Sequence, residues 1–575
     1  MSSEVNPHCL LAEFVGDSRI AYFSMEIALE NAIHTYSGGL GCLAGDTLRA
    51  AADMGLPLVG VTLVSRLGYL RQEIDAMGRQ VEHPDPWAPE EHATALSALV
   101  AVRLEDREVW VRGWLYVVQG QGGGRAPVVL LDTDLPQNNP DDRAITNVLY
   151  GYGQAYRLKQ EAVLGIGGVR LLRALGFSIR RYHLNEGHSA LLTIELLLQF
   201  GRAAVHLRPD EPRYDAPRVR KMCNFTTHTP VEAGHDKFDY SFAARILDED
   251  IDVPLLRRYA GDKDLNMTRL ALEMSDYVNG VARSHAVVSN AMFPGHEVHA
   301  ITNGVHPLNW TAPEFVALYN QWLPGWCHEP EILGRADRID DQRILSAHHA
   351  CRLRLLELVR SRTGTALDPS VPIIGFARRM TGYKRPELLF SSIERLRSIA
   401  RQSPFQIVLA GKAHPQDLGG KQTIESLHRS IEALRGDVPV VFIPNYDMDV
   451  AREMVAGSDV WLNTPLPPLE ASGTSGMKAA FNGVPQLSVL DGWWVEGWIE
   501  GVTGWVIESE PGDNGDGAAA SLYRKLEESI LPLWHVGAGK SAQWASVMKG
   551  AICRNAAYFQ SQRMMRRYAT EVYLR

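Results

Sequence analysis

The sequence predicts an α/β protein of two doubly wound domains facing each other across a cleft, and three observations predict it: length, strand pattern, and the helices between the strands. A chain of 575 residues exceeds what one hydrophobic core organises, so two large domains are expected. Short runs of Val, Ile and Leu recur without strict alternation, as strands buried on both faces of a parallel sheet require. Amphipathic stretches separate them, as strand–helix–strand units demand.

In the first half the strands are expected at Arg19–Met25, Leu56–Val64, Pro127–Thr133, Arg181–Asn185, Met222–Thr226 and Ala286–Asn290. The second half offers Val371–Ala377, Gln406–Ala410, Val438–Ile443, Asp459–Asn463 and Pro485–Leu490. Pro386 opens a helix on which Leu389, Ile393, Leu396 and Ile399 mark a single apolar face. Between Trp310 and Leu367 strand character fades, which places the first domain at 1–310 and the second at 311–575. The stretch from about Ala542 reads as helix and is expected to pack back on the first domain. In such an architecture the ligand sits at the carboxyl ends of the strands.

Composition narrows the function. With 45% hydrophobic and 22% charged residues the chain is globular, and a formal net charge of −9 gives no basic field for nucleic acid or an anionic membrane. An anionic ligand must therefore be held by a local cluster of cations. Cys9, Cys42, Cys223, Cys327, Cys351 and Cys553 show no paired spacing and read as free thiols. MSSEVNPHCLLAEF lacks the basic and apolar regions of a secretory signal, and no run approaches 18 apolar residues. A cytoplasmic, soluble protein is expected.

Three segments could carry chemistry. VPIIGFA runs into Arg378-Arg379-Met-Thr-Gly-Tyr-Lys384-Arg385, four cations in eight residues at a strand end, which suits a multiply charged anion such as phosphate. Ser37-Gly38-Gly39-Leu40-Gly41 precedes a helical pattern and lets backbone N–H groups approach an oxyanion; a packing turn is the other reading. Glu470-Ala-Ser-Gly-Thr474-Ser475-Gly-Met-Lys478 sets a carboxylate, small residues and a lysine at a helix start. That lysine can pair with phosphate or, desolvated, form a Schiff base, and chemistry alone leaves both open. Gly165 to Gly168 lies within a helical pattern and reads as close helix packing. LeuAsnGluGlyHis (184–188), ThrThrHisThrPro (226–230) and ThrAsnGlyValHis (302–306) put polar groups just past buried strands. The spacing of His183, His188, His228 and His235 matches no metal-site pattern, so no metal is expected.

Occurring together and in this order, these segments resemble the α-glucan (glycogen, starch and maltodextrin) phosphorylases, over most of the chain from about Ile20 to beyond Trp494. The resemblance implies a GT-B fold of two Rossmann-like domains and retaining phosphorolysis of α-1,4-glucan at its non-reducing end, giving α-glucose 1-phosphate. It implies pyridoxal 5′-phosphate bound covalently to Lys478, its phosphate group exchanging a proton with substrate phosphate. Arg379, Lys384 and Gly38–Gly39 would serve the substrate phosphate, and Arg378, Thr474, Ser475, Tyr446 and Trp310 the cofactor. Asn303, Glu470 and His228 would serve the sugar. A homodimer is a family expectation.

The sequence also departs from the long animal and plant enzymes. It has Thr381-Gly382 where they have His-Glu, Gly476 where they have asparagine, and Asp447 where they have arginine. Only about twenty residues precede the first strand, so the short bacterial or archaeal branch is expected and control by AMP is not. The alternative reading is a nucleotide-sugar-dependent glucan synthase of the same shape, which would not need Lys478 covalently. A third, of another class, is an inert glycan-binding protein.

Overall fold

The computed structural model describes residues 7–202, 211–247, 253–509 and 515–574; Met1–Asn6, part of the segment weighed above as a leader, lie outside them. In chain order the first strands are β1 Ile20–Ser24, β2 Leu58–Leu63, β3 Arg71–Ile74, β4 Gln80–His83, β5 Thr94–Leu104, β6 Arg107–Gln119 and β7 Arg125–Asp132. β8 Arg181–Asn185, β9 Cys223–Thr226, β10 Lys237–Asp239, β11 Asp264–Asn266, β12 Tyr277–Gly280 and β13 His299–Ala300 follow. The second half holds β14 Ile373–Ala377, β15 Gln406–Ala410, β16 Val440–Ile443, β17 Val460–Asn463, β18 Gln486–Val489 and β19 Gly504–Ile507.

Two large sheets result. The second is wholly parallel, in the order β16-β15-β14-β17-β18-β19. Counted along the chain this is 3-2-1-4-5-6, so the winding reverses between β14 and β17 and opens a crevice at their carboxyl ends. The first sheet runs β13-β12-β9-β8-β1-β2-β7-β6-β5. It is parallel from β13 to β7, with its own reversal between β1 and β8. β1 is buried along its whole length: Ala21 and Phe23 enter the core on one face, Ile20 and Tyr22 the core on the other. This is why apolar runs without alternation predicted these strands. The second of those cores also takes in Met564, Met565, Tyr568, Val572 and Tyr573, so the carboxyl-terminal helical segment Ser561–Tyr573 covers the first sheet.

Four features differ from the sequence reading. Ala286–Asn290 is part of a helix, Arg283–Met292; its apolar run is three residues long and Val287 points to solvent, so no strand is stabilised there. The strand of that region is β12, whose YVNG carries too little apolar signal to be seen. Pro386 opens a single 3₁₀ turn, Pro386–Phe390, and the α-helix begins at Ile393, where the Ser392 hydroxyl accepts the Arg395 N–H (3.2 Å). β5 and β6 escaped notice because they alternate buried and open residues, as antiparallel strands with one wet face do. Glu105 and Asp106, both at positive φ, make their two-residue turn.

The halves are tied on two sides. From the first half, β3 and β4 form a hairpin that docks on the second. Gln72 and Asn445 exchange backbone-to-side-chain bonds (3.0 and 2.9 Å), and Gln80 does the same with the backbone of Ala413 (2.9 Å each). On the other side Glu496 accepts from Arg283 N–H (3.0 Å) and the Thr302 hydroxyl (2.9 Å). The cleft is thus held at a defined width, and the two reversal points face each other.

Candidate active site

A cavity of about 970 Å³ lies between the two reversal points, lined from both halves. Of the residues that the resemblance assigns to phosphate, cofactor and sugar, all except Trp310 line it directly, and Trp310 sits behind Lys478; Arg385, the fourth cation of its cluster, does not line it. Each segment arrives from a strand end: 378–385 leaves β14, 464–478 leaves β17, Glu26 leaves β1 and 186–188 leaves β8. Short, fully buried strands fix those ends to within a residue, which is what a site assembled from distant segments needs.

On the wall from the second sheet, Glu470 bridges two cations, accepting from Arg378 Nη2 (2.6 Å) and Lys384 Nζ (2.5 Å). Glu470 and Lys384 are buried and Arg378 is nearly so. Burial raises the Glu470 carboxyl, but Arg378 and Lys384 outweigh it and hold it at about 2. Arg378 keeps Nε and Nη1 buried without a partner among the described residues. Lys384 also lies over the Tyr383 ring (4.5 Å). Arg379 is exposed to the cavity and, among the described residues, has no hydrogen bond or ion pair. The cluster therefore holds cationic donors not yet satisfied, at a strand end, in a closed cleft.

The bridge has a measurable consequence. A carboxyl held at about 2 against an ordinary 4.5 stabilises the fold above pH 4.5, and that stability is lost as pH falls from about 4.5 toward 2. The linkage amounts to on the order of 3 kcal/mol. Glu470→Gln removes it and leaves Arg378 and Lys384 facing each other, so a lower Tm at neutral pH is expected, recovered by added phosphate because an anion replaces the carboxylate. A differential scanning measurement with and without phosphate decides; an unchanged Tm would remove the assigned role.

Lys478 is buried, and its Nζ lies 3.7 Å from the Trp310 ring centroid with no hydrogen bond or ion pair among the described residues. Trp310 is fixed by its indole N–H donating to Asp46 Oδ2 (2.7 Å). Thr474 begins the turn that carries the lysine, Ser475–Ala480, and the Ser475 hydroxyl accepts from Trp461 Nε1 (3.0 Å). The two departures from the long enzymes in this part of the chain have physical reasons. At Gly476 a Cβ would fall 1.5 Å from Gln486 Oε1 and 2.9 Å from Trp493 Cζ2, so a side chain there requires Gln486 to turn away and the Trp493 ring to give. Gly476→Ala is expected to cost about 1–3 kcal/mol through overpacking, read as a lowered urea midpoint. Asp447 caps the helix Met448–Gly457 by accepting from Val450 N–H (2.9 Å), beside Tyr446 on the cavity wall.

The wall from the first sheet is shaped for neutral ligand groups. Burial keeps His228 neutral, pushing it down to about 3. The Ser24 hydroxyl donates to Glu26 O (2.7 Å) and accepts from Asn185 Nδ2 (3.0 Å), so Asn185 Oδ1 faces His228 Nε2 (2.6 Å). Nε2 must carry the hydrogen, which leaves Nδ1 as an acceptor. Asn303 Oδ1 is a buried acceptor without a partner among the described residues. Gly38 caps and Gly39 starts the helix Gly39–Asp53, whose first turn, with its N–H groups free of intrahelical partners, lines the cavity at Gly39 and Leu40.

Several lining residues were missed in the sequence. Glu26 accepts from Ser37 N–H (2.6 Å), Gly38 N–H (3.1 Å) and the Tyr150 hydroxyl (2.9 Å), and so orders the glycine loop. Glu186 sits at φ 71, a conformation disfavoured for its residue type, and receives His228 N–H (2.8 Å) and the Thr229 hydroxyl (2.9 Å). It lies in a segment singled out above, but nothing local distinguished its carboxylate. Arg157, paired with Glu161 (3.0 Å) and Asp236 (2.9 Å), comes from helix and loop positions without a motif.

Comparison with known proteins agrees with this geometry. Residues 236–501 match the carbohydrate phosphorylase family. The chain is 39% identical to the maltodextrin phosphorylase of Thermococcus litoralis, across 96% of this chain and 70% of that one. It is 36% identical to the glycogen phosphorylase of Mycobacterium tuberculosis, with the same coverage, and 34% identical to that of Aquifex aeolicus, across 96% of this chain and 86% of that one. The chain belongs to the carbohydrate phosphorylase family.

Proposed function

We propose that the protein is an α-1,4-glucan phosphorylase, transferring the terminal glucose of a maltodextrin or glycogen chain to inorganic phosphate with retention. The observation that carries this reading is the meeting, in one cavity, of Arg378, Arg379 and Lys384 with the unpaired amine of Lys478. A division into domains at about Trp310 accompanies it, with the cleft between them as the site.

The residues present fit pyridoxal phosphate. Lys478 offers an amine without a competing hydrogen bond or ion pair among the described residues, Trp310 and Tyr446 offer aromatic surface, and Arg378 offers two donors without a partner among them to a phosphate. Thr474 and Ser475 add backbone N–H groups at the turn. When bound, the cofactor supplies a second phosphate group able to exchange a proton with the substrate phosphate. Two adjacent phosphates repel, and the fixed cations offset that repulsion.

In this reading Arg379 and Lys384, with the N–H of Gly39, bind substrate phosphate and aim one oxygen at the glucose C1. The bond from C1 to the bridging oxygen breaks, the bond from C1 to phosphate oxygen forms, and the departing oxygen takes its proton from the phosphate. His228 Nδ1 and Asn303 Oδ1 accept from sugar hydroxyls and hold the ring. Glu470 keeps Oε2 on Arg378 and Lys384, and its Oε1, which has no hydrogen bond among the described residues, is available to orient the sugar. The closed cleft excludes water, so phosphate and not water receives the glucosyl group.

Incubating the protein with maltodextrin and phosphate is expected to yield α-glucose 1-phosphate. Glucosyl transfer from UDP- or ADP-glucose, without phosphorolysis, would favour the synthase reading instead.

A further inference from the structure

Behind the Glu470 bridge lies a carboxyl group that no step above uses. Asp491 follows β18, is buried, and does not line the cavity. Its two oxygens are both committed: Oδ2 accepts the backbone N–H of Glu470 and Oδ1 that of Gly492, each at 2.8 Å. A second backbone tie runs alongside, from Trp493 N–H to Ser472 O (2.9 Å). Gly492, at φ +56, permits the close approach, since a Cβ there would fall 2.3 Å from Ser472 O and 3.1 Å from Glu470 Cγ. The turn 491–493 is thus clamped on the segment 470–472. The first half of the chain touches the same turn, because the Ser284 hydroxyl donates to Gly492 O (3.1 Å).

We propose that Asp491 is a positioning residue for phosphate use: as a carboxylate it pins the Glu470 backbone, and through Glu470 it holds Arg378 and Lys384 where they meet phosphate. The inference rests on the phosphorylase reading. The geometry is specific to a carboxylate, which alone presents two acceptors and no donor to two convergent N–H groups. Protonation or an amide would set a donor against one of them.

The charges around Asp491 explain its character. Burial pushes it up to about 6, and the facing Glu470 carboxylate adds to that, while the N–H groups of Glu470 and Gly492 and the Lys384 ammonium oppose it. Arg378 acts from the far side of Glu470, and Glu496 from the next turn is committed to Arg283 and Thr302. A carboxyl raised above its ordinary value destabilises the fold once pH exceeds it, because the unfolded chain ionises more readily. Keeping a buried charge on those terms is the pattern of a residue retained for activity and not for stability.

Asp491→Asn and Asp491→Ala, made in the full chain with its cofactor, test this. For the Asn variant at pH 7.5 the KM for phosphate is expected to rise at least about fivefold, with the maltodextrin KM within about twofold and Tm not lowered. The fall in kcat/KM for phosphate below about pH 6 is expected to lose the component that wild type shows and the variant cannot, since ionisation of phosphate itself is common to both. Wild-type phosphate KM together with an unaltered acid limb in the Asn variant would overturn the proposal. If the Ala variant folds poorly, the Asn variant and its pH profile still decide. Absence of phosphorolysis in the wild type would instead overturn the function on which this inference stands.

Discussion

Lys478→Ala is expected to lose glucose 1-phosphate formation by on the order of 10³-fold or more, roughly 4 kcal/mol of barrier. The Lys478 side chain is buried, and its amine lies over Trp310 at 3.7 Å, on the cavity wall, with no hydrogen bond or ion pair among the described residues to compete for it. In the proposed function its use is to tether the cofactor, so the variant should also lack the near-ultraviolet absorbance of a Schiff base. Borohydride should fix the cofactor to Lys478 in the wild type and to nothing in the variant. Cofactor-free wild-type protein with full activity would remove the assignment. The large effect follows because no other lysine lining the cavity shares this setting: Lys237 pairs with Glu232 (2.8 Å), Lys384 is bound to Glu470 and Lys412 donates to Leu70 O (2.9 Å).

Arg379→Ala is expected to raise the phosphate KM, or lower kcat/KM for phosphate, by at least about tenfold, on the order of 1.4 kcal/mol. Arg379 reaches into the cavity with no hydrogen bond or ion pair among the described residues, so its removal takes away a donor to the ligand and breaks no such bond among them. Tm should stay near wild type, which separates this variant from Lys384→Ala. That change is expected to weaken phosphate use to a similar degree but also to leave Glu470 with one of its two cations, and so to lower Tm. Unchanged phosphate kinetics in both variants would place the anion elsewhere in the cleft.

The strands that position the site were legible because they are buried on both faces and therefore uniformly apolar. β1, β8, β14 and β17, which flank the two reversal points, all fall within the expected runs. Elements with one wet face, such as β5 and β6, or with a weak apolar signal, such as β12, were not legible. The site divides in the same way. Arg378, Arg379, Lys384 and Lys478 stand in compact motifs, and the fold brings them to one cavity. Glu26, Glu186 and Asp491 are single carboxylates in ordinary surroundings, and their partners lie from one to 124 residues away along the chain.

By itself, the sequence determined the two-sheet α/β plan, the strand ends that carry chemistry, and the motifs through which the chain resembles its family. Those follow from local pattern, since burial of a strand and crowding of cations are written in consecutive residues. Only the tertiary structure decided that Glu470 neutralises Arg378 and Lys384, that Lys478 rests unpaired on Trp310, and that Asp491 grips the Glu470 backbone. Each depends on distances of a few ångströms between segments tens to hundreds of residues apart, and such distances are set by packing of the sheets and closure of the cleft.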